Sequence, residues 1–432
     1  MFVGTLIHSI SLKNLEIIPQ GIIVVSDGKI IQIENDSCDV SLLQKKFNVK
    51  EKNLHVLKYG EFLIPGFIDT HIHGSQYPNV GLGYDLPLLQ WLEKYTFPLE
   101  SKFDDENFAE KVYDAVIKRT LANGTTTASY FATIHEKSCC IFAKCAKNLG
   151  QRAFIGKVNM NKNVTVDYGE THEKSMSVTK NFVEYVDNLK SPLVKPIITP
   201  RFALSCEKEL LKALGDYAFD NKLLIQTHIS ENNEEIKQVK KEFPDCMNYT
   251  QVYDKAGLIN ERTILAHGIY LNQEELEIIK ERKATISHCP SSNILLQSGI
   301  CPVSQYLNMG INVSLGTDCS GGNSCSMLEC IRQTIMLSIQ ASFNKIGQKL
   351  SIEEVFYMAT LGGATALGLE NKIGNFKIGK EFDAILIDLN EKSVIDILED
   401  YDIEQLFQKF IYLGNDQLMK KVFVSGRLVK QL

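Results

Sequence analysis

Short apolar, β-like runs alternate along most of this chain with amphipathic helical stretches such as Phe108 to Asn123, Glu207 to Asp220 and Gln273 to Arg282. No other feature restricts its fold so much. That alternation predicts βα units on a parallel sheet. The runs end in Asp69-Thr70, Thr126-Thr127, Lys157-Val158, Ile198-Thr199, Thr227-His228, Ala266-His267, Ser287-His288 and Thr317-Asp318. Roughly eight strands are what a closed (β/α)8, TIM-like barrel requires. The expected fold class is therefore α/β. Outside this region the texture changes. Ile22 to Val25 and Lys29 to Ile33 flank the turn pair Asp27-Gly28, Asp383 to Asp388 reads as a strand, and Val422 to Val429 reads as a hairpin about Ser425-Gly426. The two ends are expected to meet in one small domain.

Several run ends carry metal-binding side chains. His71 and His73 follow the apolar run Phe62 to Ile68, and residues two apart in an extended segment point to the same side. His228, His267 and Asp318 close later runs, and in a barrel such ends converge on one face. Each residue alone could be an ordinary cap or surface group, but their recurrence at successive ends argues for a catalytic metal site. Imidazoles with a carboxylate suit zinc, although iron or manganese could use the same ligands. A bound ion of this kind lowers the pKa of its water from 15.7 to about 7, which points to hydrolysis. Glu231 lies three residues past His228 and is the natural proton shuttle. Its alternative role is to stabilise the first turn of a helix over Asn232 to Lys241.

Charge and cysteine usage narrow the partners. A formal net charge of -6 argues against a broad grip on nucleic acid or anionic lipid and favours a small, nearly neutral substrate. Eleven cysteines without a CxxC pair suggest neither a disulfide framework nor a zinc ribbon, and a reducing compartment is expected. The first residues, Met1 to Thr5, do not read as a leader, no apolar run reaches the roughly 18 residues of a membrane span, and a cytoplasmic location is expected. Neither part of the zinc pattern that pairs HxE with PCxxC is satisfied, because CxxC is absent.

The segment Pro65 to His73, PGFIDTHIH, resembles the signature of the amidohydrolase superfamily, with Asp69 as a supporting group rather than a ligand. Gln76-Tyr77 and Asp85 to Pro98 look like the guanine deaminase family within it. That similarity continues through Asn123 to Thr127, Tyr130 to His135, Thr199 to Phe202, His228 to Asn232, Ala266 to Gly268, His288 to Asn293 and Gly316 to Met327. The resemblance implies a barrel over 63–377 beside a small β-sandwich built from 1–62 and 378–432. It also implies a homodimer and conversion of guanine and water to xanthine and ammonia, a step of purine breakdown. On the matching positions, His71, His73, His228 and Asp318 would hold one Zn2+ per subunit. His267 would contact the attacking oxygen, Glu231 would be the general acid and base, and Gln76, Arg201 and Phe202 would bind guanine. An amide can read a ring edge, a guanidinium can bind a carbonyl oxygen, and an aromatic ring can stack.

The strand ending Ile198-Thr199-Pro200 has no lysine of the kind that bridges two metals in binuclear relatives, which implies a single ion. Asn161 stands where the family often has an acid, and Cys319-Ser320 replace smaller or apolar residues; both bear on substrate fit rather than on ligands. His288 and Cys289 superficially offer a base and a nucleophile, but are expected to wall the metal pocket. A related ring as substrate, such as a triazine or cytosine, is opposed by Arg201-Phe202 and the Trp91 segment. A catalytically silent scaffold is opposed by the intact ligand set.

Overall fold

The computed structural model describes residues 1–35, 39–163, 168–390 and 394–431. Eight parallel strands form the barrel: Phe67–His73, Thr125–Phe131, Arg152–Gly156, Val194–Pro200, Leu224–Ile229, Thr263–His267, Thr285–His288 and Val313–Leu315. They pair in chain order, so each crossover returns to the neighbouring strand, as βαβ units do. Helices Glu106–Ala122, Lys208–Asp220 and Gln273–Glu281 occupy the stretches whose periodicity predicts them, and each buries its apolar stripe. Asn272 and Glu275 form a reciprocal cap at the start of the third, satisfying amides that the first turn leaves free.

Three strand assignments differ from the sequence reading: the second barrel strand begins at Thr125 and runs to Phe131 rather than ending at Thr126-Thr127, and the other two differences matter at the site. The apolar run Phe62 to Ile68 is not one strand. Glu61–Pro65 belongs to a second sheet, Phe67–His73 opens the barrel, and the change of sheet occurs at Gly66. A Cβ on Gly66 would lie 2.1 Å from Thr126 Oγ1, so only glycine lets the chain pass this close to its neighbour. The barrel strand then runs through His71 and His73 instead of stopping before them. At the other end, Val313–Leu315 stops before Asp318. There the barrel is closed by backbone bonds beyond the strand: Asp318 N donates to His71 O at 2.8 Å and His73 N to Cys319 O at 3.0 Å.

The barrel interior is polar as well as packed. Thr70 Oγ1 lies 2.7 Å from Ser287 Oγ and 2.8 Å from Ser314 Oγ, and Gln226 bridges Ser129 Oγ, Tyr130 O and Thr199 Oγ1 at 2.8–3.0 Å. These groups satisfy one another, as buried polar atoms must.

The second sheet joins the two ends of the chain. Strands Met419–Val424, Ala384–Asp388, Glu61–Pro65, Phe2–Ser11 and Asn14–Ser26 lie side by side between the edges Arg427–Gln431 and Lys29–Glu34, with His55–Val56 paired to the N-terminal strand. The sheet curls around Phe2, Leu6, Leu63, Phe382, Ala384 and Phe423. Because Glu61–Pro65 is one of its strands, this sheet reaches a little past residue 62. No helix among the described residues is long and apolar enough to cross a membrane.

Candidate active site

Ligand atoms of His71, His228, His267 and Asp318 all lie within 4.8 Å of one another at one end of the barrel. His73 joins them, its Nε2 3.1 Å from His228 Nε2 and 3.4 Å from Asp318 Oδ1. All five sequence-predicted residues are thus brought together. The supporting bonds fix which nitrogens face inward. His228 Nδ1 lies 2.5 Å from the carbonyl oxygen of Arg201, an acceptor only, so Nδ1 carries the proton and Nε2 presents a bare lone pair. His267 Nδ1 is 2.9 Å from Asn293 Oδ1, which leaves Nε2 inward in the same way. Nε2 of His71 is buried without a hydrogen-bond partner, 3.1 Å from Asp318 Oδ1. Converging ring nitrogens, two of them fixed as bare acceptors, and a carboxylate oxygen suit a cation, and imidazole with carboxylate is a donor set for a divalent transition metal.

Electrostatics agree with ligands held in their metal-binding forms. Burial, reinforced by neighbouring imidazoles, drives the pKa of His228 well below the usual histidine value; for His73 burial again dominates, opposed by Asp318. Asp318 loses solvation, but the facing His71, His267 and His73 outweigh that loss and hold its carboxyl below the ordinary range. Asp69 does not point at the cluster. It accepts from Thr317 Oγ1 at 2.5 Å, Thr317 N at 3.1 Å and His71 N at 3.2 Å, tying together the two chain segments that carry His71 and Asp318. Burial pushes its pKa up to about 7 against those bonds. His267 and Asp318 both have positive φ, 72° and 46°, a cost that non-glycine residues accept where structure around them enforces it.

Glu231 Oε2 lies 3.4 Å from His267 Nε2, and Ser298 Oγ donates to its Oε1 at 3.3 Å. Burial first, then Asp318 and Glu235, raise its pKa well above the usual glutamate value. Glu231 does not cap the following helix; Asn232 does, with Glu235 accepting from the backbone of Glu231 and Asn232.

A cavity of about 440 Å³ opens over the cluster. Its walls include Gln76, Arg201 and Phe202, and the clustered Leu88, Trp91, Leu92 and Leu296, so the Trp91 segment contributes an apolar part of the wall. The sequence reading missed Glu100. Its fully buried carboxylate accepts from Gln76 Nε2 at 2.9 Å, Arg201 NH1 at 2.6 Å and Tyr168 OH at 2.6 Å. Asn293 was also passed over as an individual, although it ends the motif His288 to Asn293. Phe97-Pro98-Leu99-Glu100 continues the Trp91 segment by two residues, and an acid in that apolar run was the available signal.

Three other expectations resolve here. Asn161 lies outside the cavity wall, where its Oδ1 accepts from Glu207 N at 3.0 Å. His288 is buried but lines a separate small chamber with Cys301, Ser304 and Thr334, not the metal-side cavity. Burial holds the Cys289 thiol well above its usual pKa, which removes it as a nucleophile.

The family profile described as Amidohydrolase family matches residues 62–429. Guanine deaminase of Mus musculus is 48% identical over 99% of this chain and 96% of its own length, and that of Homo sapiens 47% identical over the same shares. The crystal structure of guanine deaminase from C. acetobutylicum, with guanine bound in its active site, superposes with a TM-score of 0.92 at 38% identity, covering 99% of both chains. With profile, sequence and structure in agreement along nearly its whole length, this chain belongs to the amidohydrolase family and, within it, to the guanine deaminases.

Proposed function

We propose that this chain hydrolyses the exocyclic C2 amine of guanine, converting guanine and water to xanthine and ammonia. The observation that carries this reading is a single cavity whose lining combines two chemically distinct sets of polar groups. The imidazole–carboxylate cluster and Glu231 line it together with Gln76, Arg201 and Phe202. One zinc ion per subunit would be held by His71, His73, His228 and Asp318. Such an ion supplies, when bound, a water activated at neutral pH.

The protein's own groups do the rest. Glu231 Oε2 takes a proton from the attacking water, delivers it to the ring nitrogen beside C2, and then relays a proton to the departing amine. Its Oε1 is occupied by Ser298, which leaves Oε2 toward the reacting side. His267 Nε2, an acceptor because Nδ1 donates to Asn293, orients the attacking water beside Glu231. Its contact with Glu231, alongside a neighbouring Asp318 Oδ2 at 3.8 Å, supports a reacting-side role for His267 rather than that of a fifth ligand. The purine stacks on Phe202, and Arg201 donates to its carbonyl oxygen.

The described cysteines are all free, which supports a reducing, cytoplasmic setting. The exposed Met336 and Phe343 on one helix and Tyr412 and Leu413 on the helix packed beside it support a homodimer. The test is guanine turnover by the purified protein, read as xanthine and ammonia, with metal analysis of the same sample. Stoichiometric zinc and both products are expected; bound zinc without turnover of guanine would overturn the substrate.

A further inference from the structure

Glu100 is a carboxylate with no solvent exposure that accepts hydrogen bonds from three residues, and none of these is a passive neighbour. Two are the cavity residues Gln76 and Arg201. The third, Tyr168, is a buried ring packed beside Phe97. A carboxylate can only accept, so Gln76 must turn its Nε2 toward Glu100, and its amide oxygen is left for the cavity. The same carboxylate takes Arg201 in a forked pair, NH1 at 2.6 Å and NH2 at 3.3 Å, while the ring of Phe97 lies 5.1 Å from the guanidinium carbon. Arg201 can then offer only N–H donors to a ligand.

We propose, on the reading that the cavity binds a purine, that Glu100 is the specificity-determining positioning residue: by fixing Gln76 as acceptor beside Arg201 as donor, it selects a lactam edge. A 6-oxopurine presents N1–H next to C6=O, a donor beside an acceptor, and both are satisfied. A 6-aminopurine presents the reverse order, a bare N1 beside an NH2. It would set Gln76 oxygen against N1 and Arg201 against the amine, leaving buried polar groups unpaired. Sites built on hydrogen bonds reject mismatched ligands far more strongly than apolar pockets reject a missing methylene. Replacing the carboxylate by an amide removes the constraint, because an amide both donates and accepts. Gln76 is then free to flip.

The experiment measures binding of hypoxanthine and adenine, which lack the reactive C2 amine, to the metal-loaded enzyme by calorimetry, alongside guanine kinetics. Wild-type protein should favour hypoxanthine. Glu100→Gln should shrink the hypoxanthine-to-adenine affinity ratio at least about tenfold and raise KM for guanine more than it lowers kcat, whereas Glu100→Asp should keep most of the ratio. If Glu100→Gln does not fold, Tyr168→Phe, which frees one lone pair of the carboxylate and keeps its charge, should shift the ratio in the same direction by several-fold. An unchanged ratio in the folded variant, or a loss confined to kcat, overturns the role of Glu100 while wild-type guanine turnover stands. Absence of both guanine turnover and purine binding in the wild type would instead overturn the reading beneath it.

Discussion

Glu231 carries the sharpest consequence of the site at the scale of single residues. Ser298 occupies its Oε1 and leaves Oε2, beside His267, for proton transfer, and Glu231 stands outside the grouped ligand residues His71, His228, His267 and Asp318. Glu231→Gln should therefore leave metal content unchanged and lower guanine turnover by roughly 10²-fold or more, the usual scale for a positioned acid–base group. Equal zinc content with near-normal turnover would contradict it. Asn293 acts one step further out, by holding the proton on His267 Nδ1. Supporting partners of this kind are typically worth about 10- to 100-fold, so Asn293→Ala should cost that much in kcat while purine affinity changes little. The sequence made His71, His73, His228, His267 and Asp318 legible because each falls at the end of an apolar run. Glu100 and Asn293 were not, because their meaning lies in partners distant in the chain.

Among elements, the junction between the last and first barrel strands decides whether the cluster assembles. Asp318 and His71 are brought together by the backbone bond from Asp318 N to His71 O and by Asp69 bridging to Thr317. Gly316 permits that approach. Its backbone is not in the left-handed region, but a Cβ there would lie 2.6 Å from His71 Cβ and 2.8 Å from Ser287 Oγ. Gly316→Ala should therefore act through overpacking, at about 1–3 kcal/mol, and should lower zinc content together with thermal stability. Full zinc occupancy with an unchanged melting temperature would show that the junction has slack. Period and apolar runs located all eight strands, yet they could not show that Phe62 to Ile68 divides between two sheets. Both halves are equally buried, and the break at Gly66 answers to Thr126, which the chain reaches only after folding.

On the scale of the whole molecule, the question is what fixes the terminal sheet against the barrel. The ends of the chain share β-like texture, which made their union legible, but the fastening was not. Arg152, on a barrel strand and almost fully buried, donates to Glu381 at 2.6 Å and to both oxygens of Asp383 at 3.1–3.2 Å. Asp383 Oδ1 also accepts from Ser425 N at 2.7 Å, in the turn of the terminal hairpin, and Lys372 lies 3.0 Å from Glu381. Removing the central cation leaves carboxylates buried without compensation, so Arg152→Ala should cost about 3–5 kcal/mol. The outer acid gives a pH signature. Burial raises the pKa of Glu381, but Arg152 and Lys372 outweigh burial and hold it below its ordinary value. A group whose folded pKa is depressed stabilises the fold above its unfolded pKa, about 4.3 for glutamate, and loses that contribution as pH falls through the folded value. Glu381→Gln should therefore melt below wild type at pH 7, with the gap closing as the pH is taken below about 4. A gap that stays constant from pH 7 to pH 3 would mean that the ionised carboxylate does not contribute to holding the sheet to the barrel.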